Sequence, residues 1–314
     1  MSLIVEGQSI LEVIVDGVRI TEVIYNNTSI FTLFTNGIYF GGYTDASTTV
    51  SNVVTKLANN GTLQQTDKTA GTGRGDLSGA NVGTNALFFG GWTTARDNHT
   101  TILNPSGNIV GTETTISTAR YSLTGANVGT NALFFGGAST IVESLSTLLS
   151  PSANLVQAET QVGTGRYGCA GASISSDVII YGGYMTGNVN SNIVTLINSS
   201  ITLKQTEGAI GLARNNFSGV NSGTSALFYG GFTTVATSSV FLFTPTAVLK
   251  QGETSAGTAR QGSRGCNIMG KAVYYGSWTT VAANTTTVIL GTGFLSTESA
   301  VTSTARHSMG ASSV

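Results

Sequence analysis

A chain of 314 residues with 40% apolar and only 9% charged side chains is too apolar to be disordered, and long enough for one large all-β domain or two ordinary ones. The net charge of −1 argues against a nucleic-acid partner, which needs a surplus of Lys and Arg on one face, and no apolar run reaches the length of a membrane span. Three prolines against many β-branched residues favour strands over helices. The opening MSLIVEGQSI has no basic segment and meets Glu6 within its apolar stretch, so it does not read as a signal peptide.

Residues 1–33 carry a ten-residue repeat, IVEGQSILEV, IVDGVRITEV and IYNNTSIFTL, which aligns without a gap over 4–13, 14–23 and 24–33. Each unit has a turn pair (Glu6-Gly7, Asp16-Gly17 or Asn26-Asn27) between alternating apolar residues, the pattern of short strands joined by hairpin turns. So short a segment cannot bury a core alone. It is expected to pack on the rest of the chain, on copies of itself or on another protein.

From residue 34 a longer period takes over. Arginine recurs at Arg74, Arg120, Arg166, Arg214, Arg260 and Arg306, with spacings of 46, 46, 48, 46 and 46. Sixteen residues after the first five comes a glycine pair or its remnant: Gly90-Gly91, Gly136-Gly137, Gly182-Gly183, Gly230-Gly231 and Gly276-Ser277. Gly41-Gly42 has no arginine before it, and Arg306 has no pair after it.

Within a unit, a small-residue first strand such as YSLTGANV (121–128) leads to a tight turn, at 129–131, 175–177, 223–225 or Asn36-Gly37. An apolar strand then ends at the glycines, as in ALFFGG (132–137). A third strand follows (Ile193 to Ile197, Val240 to Phe243), and beyond a further turn comes a fourth, such as 108–114, 154–160 or 247–253. Four short strands per repeat are the mark of propeller blades. Val314 and Leu33 occupy the same register position, so 307–314 are expected to supply the first strand of a blade whose other strands come from 38–67. Joining the ends would remove an open sheet edge.

The order arginine, first strand, apolar strand, Gly-Gly, third strand, turn and fourth strand resembles the kelch repeat over residues 34–314. The fourth strands lack the tryptophan usual in that family: NLVQAET and AVLKQGE stand there. The resemblance implies an all-β, six-bladed kelch-like β-propeller (34–314), closed by strands from both ends of the chain, behind a small β-repeat tail (1–33). The tandem VxGxxIxxV elements, and the Gly/Thr/Asn/Ala-rich, charge-poor composition, resemble those of bacteriophage virion proteins. That implies a fibre, tail or head decoration protein.

Each arginine has an acid seven residues before it (eight for the last): Asp67, Glu113, Glu159, Glu207, Glu253 and Glu298. A structural ion pair or backbone cap at the blade connections is the simplest use, with a ligand as the competing one. Strand direction puts these connections on the same face as the loops after the glycine pairs. Those loops open on Tyr43, Trp92, Tyr184, Phe232 and Trp278, with Ala138 the exception. Aromatics beside arginines on one rim suit carbohydrate stacking or a protein partner; the alternative is that the rings fill grooves between blades.

Catalytic and metal signatures are missing. Of two histidines, His307 stands where Tyr121 and Tyr167 stand in other repeats and reads as packing; Cys169 and Cys266 read as buried free thiols. No cofactor is expected. The expected function is non-enzymatic: a virion protein that assembles with other virion proteins or with itself through 1–33. It would offer its propeller to a host-surface glycan or protein, without membrane insertion. The alternative is a free, cytoplasmic lectin-like or adaptor propeller, and an enzyme would instead need polar channel residues that break the blade symmetry.

Overall fold

The computed structural model describes residues 13–15, 18–20, 22–25, 28–32, 35–46, 48–223 and 225–314. Among them there is no helix, and so none long and apolar enough to cross a membrane. Six four-stranded antiparallel sheets make the six blades of a β-propeller. Blade two shows the pattern: Thr124–Val128, Asn131–Phe135, Leu145–Leu149 and Thr160–Gln161 run from the centre outward. Blades one, three, four and five span 78–115, 170–209, 218–260 and 264–300.

Blade six closes the ring as the repeat count requires. Gly310–Ser313 is its inner strand, and Asn36–Phe40, Val53–Ala58 and Leu63–Thr69 complete it. Asn36 and Val314 exchange backbone hydrogen bonds of 3.2 and 2.9 Å, so the pair expected to form a turn at Asn36-Gly37 already lies in the strand. Val314 stands where Val128 precedes its turn, so the break in the ring falls at a hairpin turn and no strand is cut.

Small inner residues follow from crowding at the axis. Gly79, Gly125, Gly171, Gly219 and Gly265 take one register position, with Ala311 as the sixth. A Cβ at Gly79, Gly125 or Gly219 would lie 2.6–2.7 Å from the carbonyl oxygen of the neighbouring blade's equivalent residue. Between blades the packing is apolar. Val82, Leu87 and Phe89 of blade one meet Leu123, Phe134 and Leu149 of blade two, while Tyr39 and Leu57 of blade six meet Val273, Tyr275 and Val288 of blade five.

The fourth strands differ from expectation. In blades one and two only Thr114–Thr115 and Thr160–Gln161 are regular strand. Each chain makes one ladder bond after its turn, Val110 N to Ile102 O at 2.8 Å or Val156 N to Leu148 O at 2.9 Å, and then leaves the sheet. In blade four the outer strand is long, Leu249–Arg260, but its register slips between Val240 and Leu242. An outermost strand has no further neighbour to enforce pairing, and the detour turns its acid inward.

Ahead of the ring, Val13–Val15 pairs with Val18–Ile20 and Glu22–Tyr25 with Thr28–Thr32. The turn pairs expected at Glu6-Gly7, Asp16-Gly17 and Asn26-Asn27 lie outside the described residues.

Candidate functional site

The arginines are blade clasps. All six are buried, at 0% exposure except Arg260 at 2%, so in this conformation none offers its guanidinium to a ligand at the surface. Arg120 donates to the carbonyls of Gly136 (3.1 Å) and Leu145 (2.9 Å), to Thr147 Oγ1, and to Glu159 at 3.1 Å, and lies over the Phe89 ring of the preceding blade. One side chain thus ties the blade's entry to its second, third and fourth strands.

The acids serve the same clasp, with a different partner from the one sequence proximity suggests. Arg120 pairs with Glu159 of its own blade's outer strand, not with Glu113. Arg166–Glu207 (3.7 Å), Arg214–Glu253 (3.1 Å) and Arg260–Glu298 (2.6 Å) repeat the choice. Glu159 also accepts from Thr118 N (3.0 Å) and Oγ1 (2.7 Å) in the connection that enters the blade. Partial burial works to raise its carboxyl, but the bonds from Thr147 and Thr118 and the Arg120 charge outweigh that and hold it below the usual range. At the seam Arg306 donates to Gly41 O (2.7 Å) and Thr304 N to Asp67 (2.7 Å), so the clasp also spans the closure.

The connections and the loops after the glycine pairs do share a face. Gly75, Tyr121, Tyr167, Asn215, Gln261 and His307, each directly after an arginine, bridge to Trp92, Ala138, Tyr184, Phe232, Trp278 and Tyr43. Tyr43 is buried, and Trp92, Tyr184, Phe232 and Trp278 are half-buried. Inside this rim, Asp76, Ser122, Gly168, Asn216, Gly262 and Ser308 form a closed ring in which each amide donates to the preceding residue's carbonyl at 2.7–2.8 Å. All six have positive φ, between 50 and 66°, a strained conformation for the serines and Asp76.

On that ring stands a cavity of about 320 Å³. Its walls include Tyr121, Tyr167, Gln261, Trp278 and His307, and its floor Asp76, Ser122, Asn216 and Ser308. His307 lies between Tyr43 (ring centroids 5.5 Å apart) and Trp278 (4.9 Å), and its Nε2 donates to Asp45 O at 2.7 Å. Burial lowers its imidazole from 6.5, which favours the neutral ring, and its place between two aromatic rings agrees with the packing role read from sequence.

Two residues that the sequence reading passed over break the sixfold pattern. Asp76 puts a carboxylate where the other blades have Ser, Gly or Asn, and the Tyr43 hydroxyl approaches it at 3.4 Å. A Cβ on Gly75 would sit 2.0 Å from the Tyr43 ring, so glycine there makes the room Tyr43 occupies. Arg264 replaces the Ser, Thr, Ala or Gly found at its position in the other inner strands. From blade five it enters a constriction of about 30 Å³ lined by every other blade, and feels both Asp76 and Cys169. Aligning the repeats on their arginines exposes both deviations. Below Arg264 the channel reopens into a second cavity of about 280 Å³ lined by Asn81, Asn127, Ser173, Asn221, Asn267 and Ser313. Cys169 and Cys266 are buried free thiols, as expected.

A solved structure of YjhT superimposes on 82% of this chain and 95% of its own, with a TM-score of 0.63 and 13% sequence identity. The likeness is one of fold. No family model and no curated protein sequence matches this chain.

Proposed function

We propose that this chain is a non-enzymatic, kelch-like propeller of a bacteriophage particle that binds a host-surface glycan in the loop-face cavity. Residues 1–33 would join it to other virion proteins or to its own copies. The observation that carries the reading is the polarity of the ring. The chain enters blade six at Asn36, beside Val314, on the face of the hairpin turns and the asparagine-lined cavity. The aromatic rim and the 320 Å³ cavity lie on the opposite face. A propeller held through the segment before Asn36 therefore turns its binding face outward.

The kelch-like order of arginine and glycine pair, the charge-poor composition and the tandem decapeptides support the same reading. The cavity suits a sugar because it combines aromatic surface with Gln261, Asn216 and Ser122 as hydrogen-bonding groups. The test is a glycan array probed with the full chain and with Trp278→Ala. A defined set of glycans should bind and weaken by about tenfold or more in the variant. Binding that ignores Trp278, or no glycan at all, would defeat the reading. A catalytic reading draws on Asp76 and Arg264 as symmetry-breaking channel residues, and a captured glycan that is chemically altered after incubation would favour it.

A further inference from the structure

The cavity's chemistry narrows the ligand, on the assumption that the glycan reading holds. Among the described residues that line it, Asp76 is the one carboxyl side chain, and burial lowers the His307 imidazole, which favours its neutral form. An acidic sugar would meet that carboxylate first. An amino sugar would meet a carboxylate already offset by Arg264, which lies beneath and lines the constriction instead of the cavity. A neutral sugar meets neither conflict: its hydroxyls donate to carboxylate oxygens and its apolar face lies on an indole.

We propose that this mouth takes a neutral pyranoside, whose vicinal hydroxyls donate to the Asp76 carboxyl while its apolar face lies on Trp278, and that Arg264, in the constriction beneath, is the positioning residue for Asp76. Arg264 is suited to this role by what it does not do. Its guanidinium donates to Ser263 O at 3.0 Å and, among the described residues, forms no ion pair with Asp76, whose carboxyl takes the Tyr43 hydroxyl at 3.4 Å and the Ser308 hydroxyl and keeps further acceptor positions for a ligand.

The groups facing Asp76 are Arg264 from blade five, His307 and Ser308 from the seam connection, and Tyr43 from the blade-six loop. Burial raises its carboxyl from 3.8, while the Arg264 charge, the Ser308 hydroxyl, His307 and Tyr43 oppose the rise. Ligand binding should therefore be complete where Asp76 is ionised and fade as pH falls through the raised value. Without Arg264 the value rises further, and the loss begins at higher pH.

Both tryptophans of the chain, Trp92 and Trp278, stand on the loop face, so intrinsic fluorescence reports the site. The full chain is titrated with the methyl glycosides of glucose, galactose and mannose, with the matching uronic acids and with the 2-amino sugars. At least one neutral glycoside should respond, about tenfold or more tighter than its acidic and amino counterparts. Asp76→Asn, an isostere that tolerates the positive φ, should lose about tenfold or more and lose the pH dependence. Arg264→Met should move the midpoint of the binding profile to higher pH.

An acidic or amino sugar binding as tightly as the neutral one overturns the proposal on the unaltered chain, whatever the variants do. Asp76→Asn binding like the wild type, or an unmoved profile in Arg264→Met, overturns it equally. Those results leave the glycan reading standing, whereas silence with every sugar, together with a blank array, removes both.

Discussion

Arg120 carries a full charge at 0% exposure, and its Nε has no partner. Burying a guanidinium is costly, so its bonds to two carbonyls, a threonine and Glu159 must offset that cost; removing one side of such an arrangement leaves the other buried and unpaired. Arg120→Met should therefore destabilise the protein by about 3–5 kcal/mol, measured by denaturant unfolding. Glycan binding by the folded protein should be unchanged, because the side chain lies under the blade and does not line the mouth. Unchanged stability with lost binding would return the arginines to the ligand. The repeat made all six arginines legible, and their acids with them. The pairing was not legible, because Glu113 is near Arg120 in sequence while Glu159 reaches it only after the blade has folded back.

At the scale of the element, the seam strand carries the most consequence. Gly310–Ser313 pairs with Asn36–Phe40, and its inner-strand neighbours are blades one and five. Its removal would open the ring, expose the Asn36–Phe40 edge and take away Met309 and Ala311 from the core shared with blade five. Deleting 307–314 should lower the thermal midpoint by about 10 °C or more, since each kcal/mol is worth about 2–4 °C in domains approaching this size. An unchanged midpoint would contradict closure. The third strand of blade three was readable to the residue, at Ile193–Ile197, because a buried β-branched run announces itself, whereas that of blade four begins at Thr237, three polar residues before the expected Val240. The outer strands were overdrawn. In blades one, two and three the chain, with a partner on one side only, leaves the ladder before the acid, whereas in blades four, five and six the outer strand runs through it.

Seen whole, the molecule is a ring with unlike faces. Counting arginines and glycine pairs gave six blades and their closure, because a repeat that buries its face only against its neighbours must be periodic in sequence. Counting could not give the site. Asp76 and Arg264 lie in different blades and are brought together only by the curvature of the ring, and each looks like an isolated departure from its own repeat. The constriction at Arg264 also divides the channel into two cavities of different chemistry, one with a carboxylate and aromatic walls, the other lined by amides and hydroxyls.

The central claim is that ligand binding belongs to the loop-face mouth. Amide hydrogen exchange of the full chain, with and without a glycan that the array returns, tests it most directly. The account predicts added protection in the loops after the glycine pairs, at 43–46 and 278–281, and none around Asn81, Asn127 and Asn267. Protection confined to the asparagine-lined mouth would contradict it.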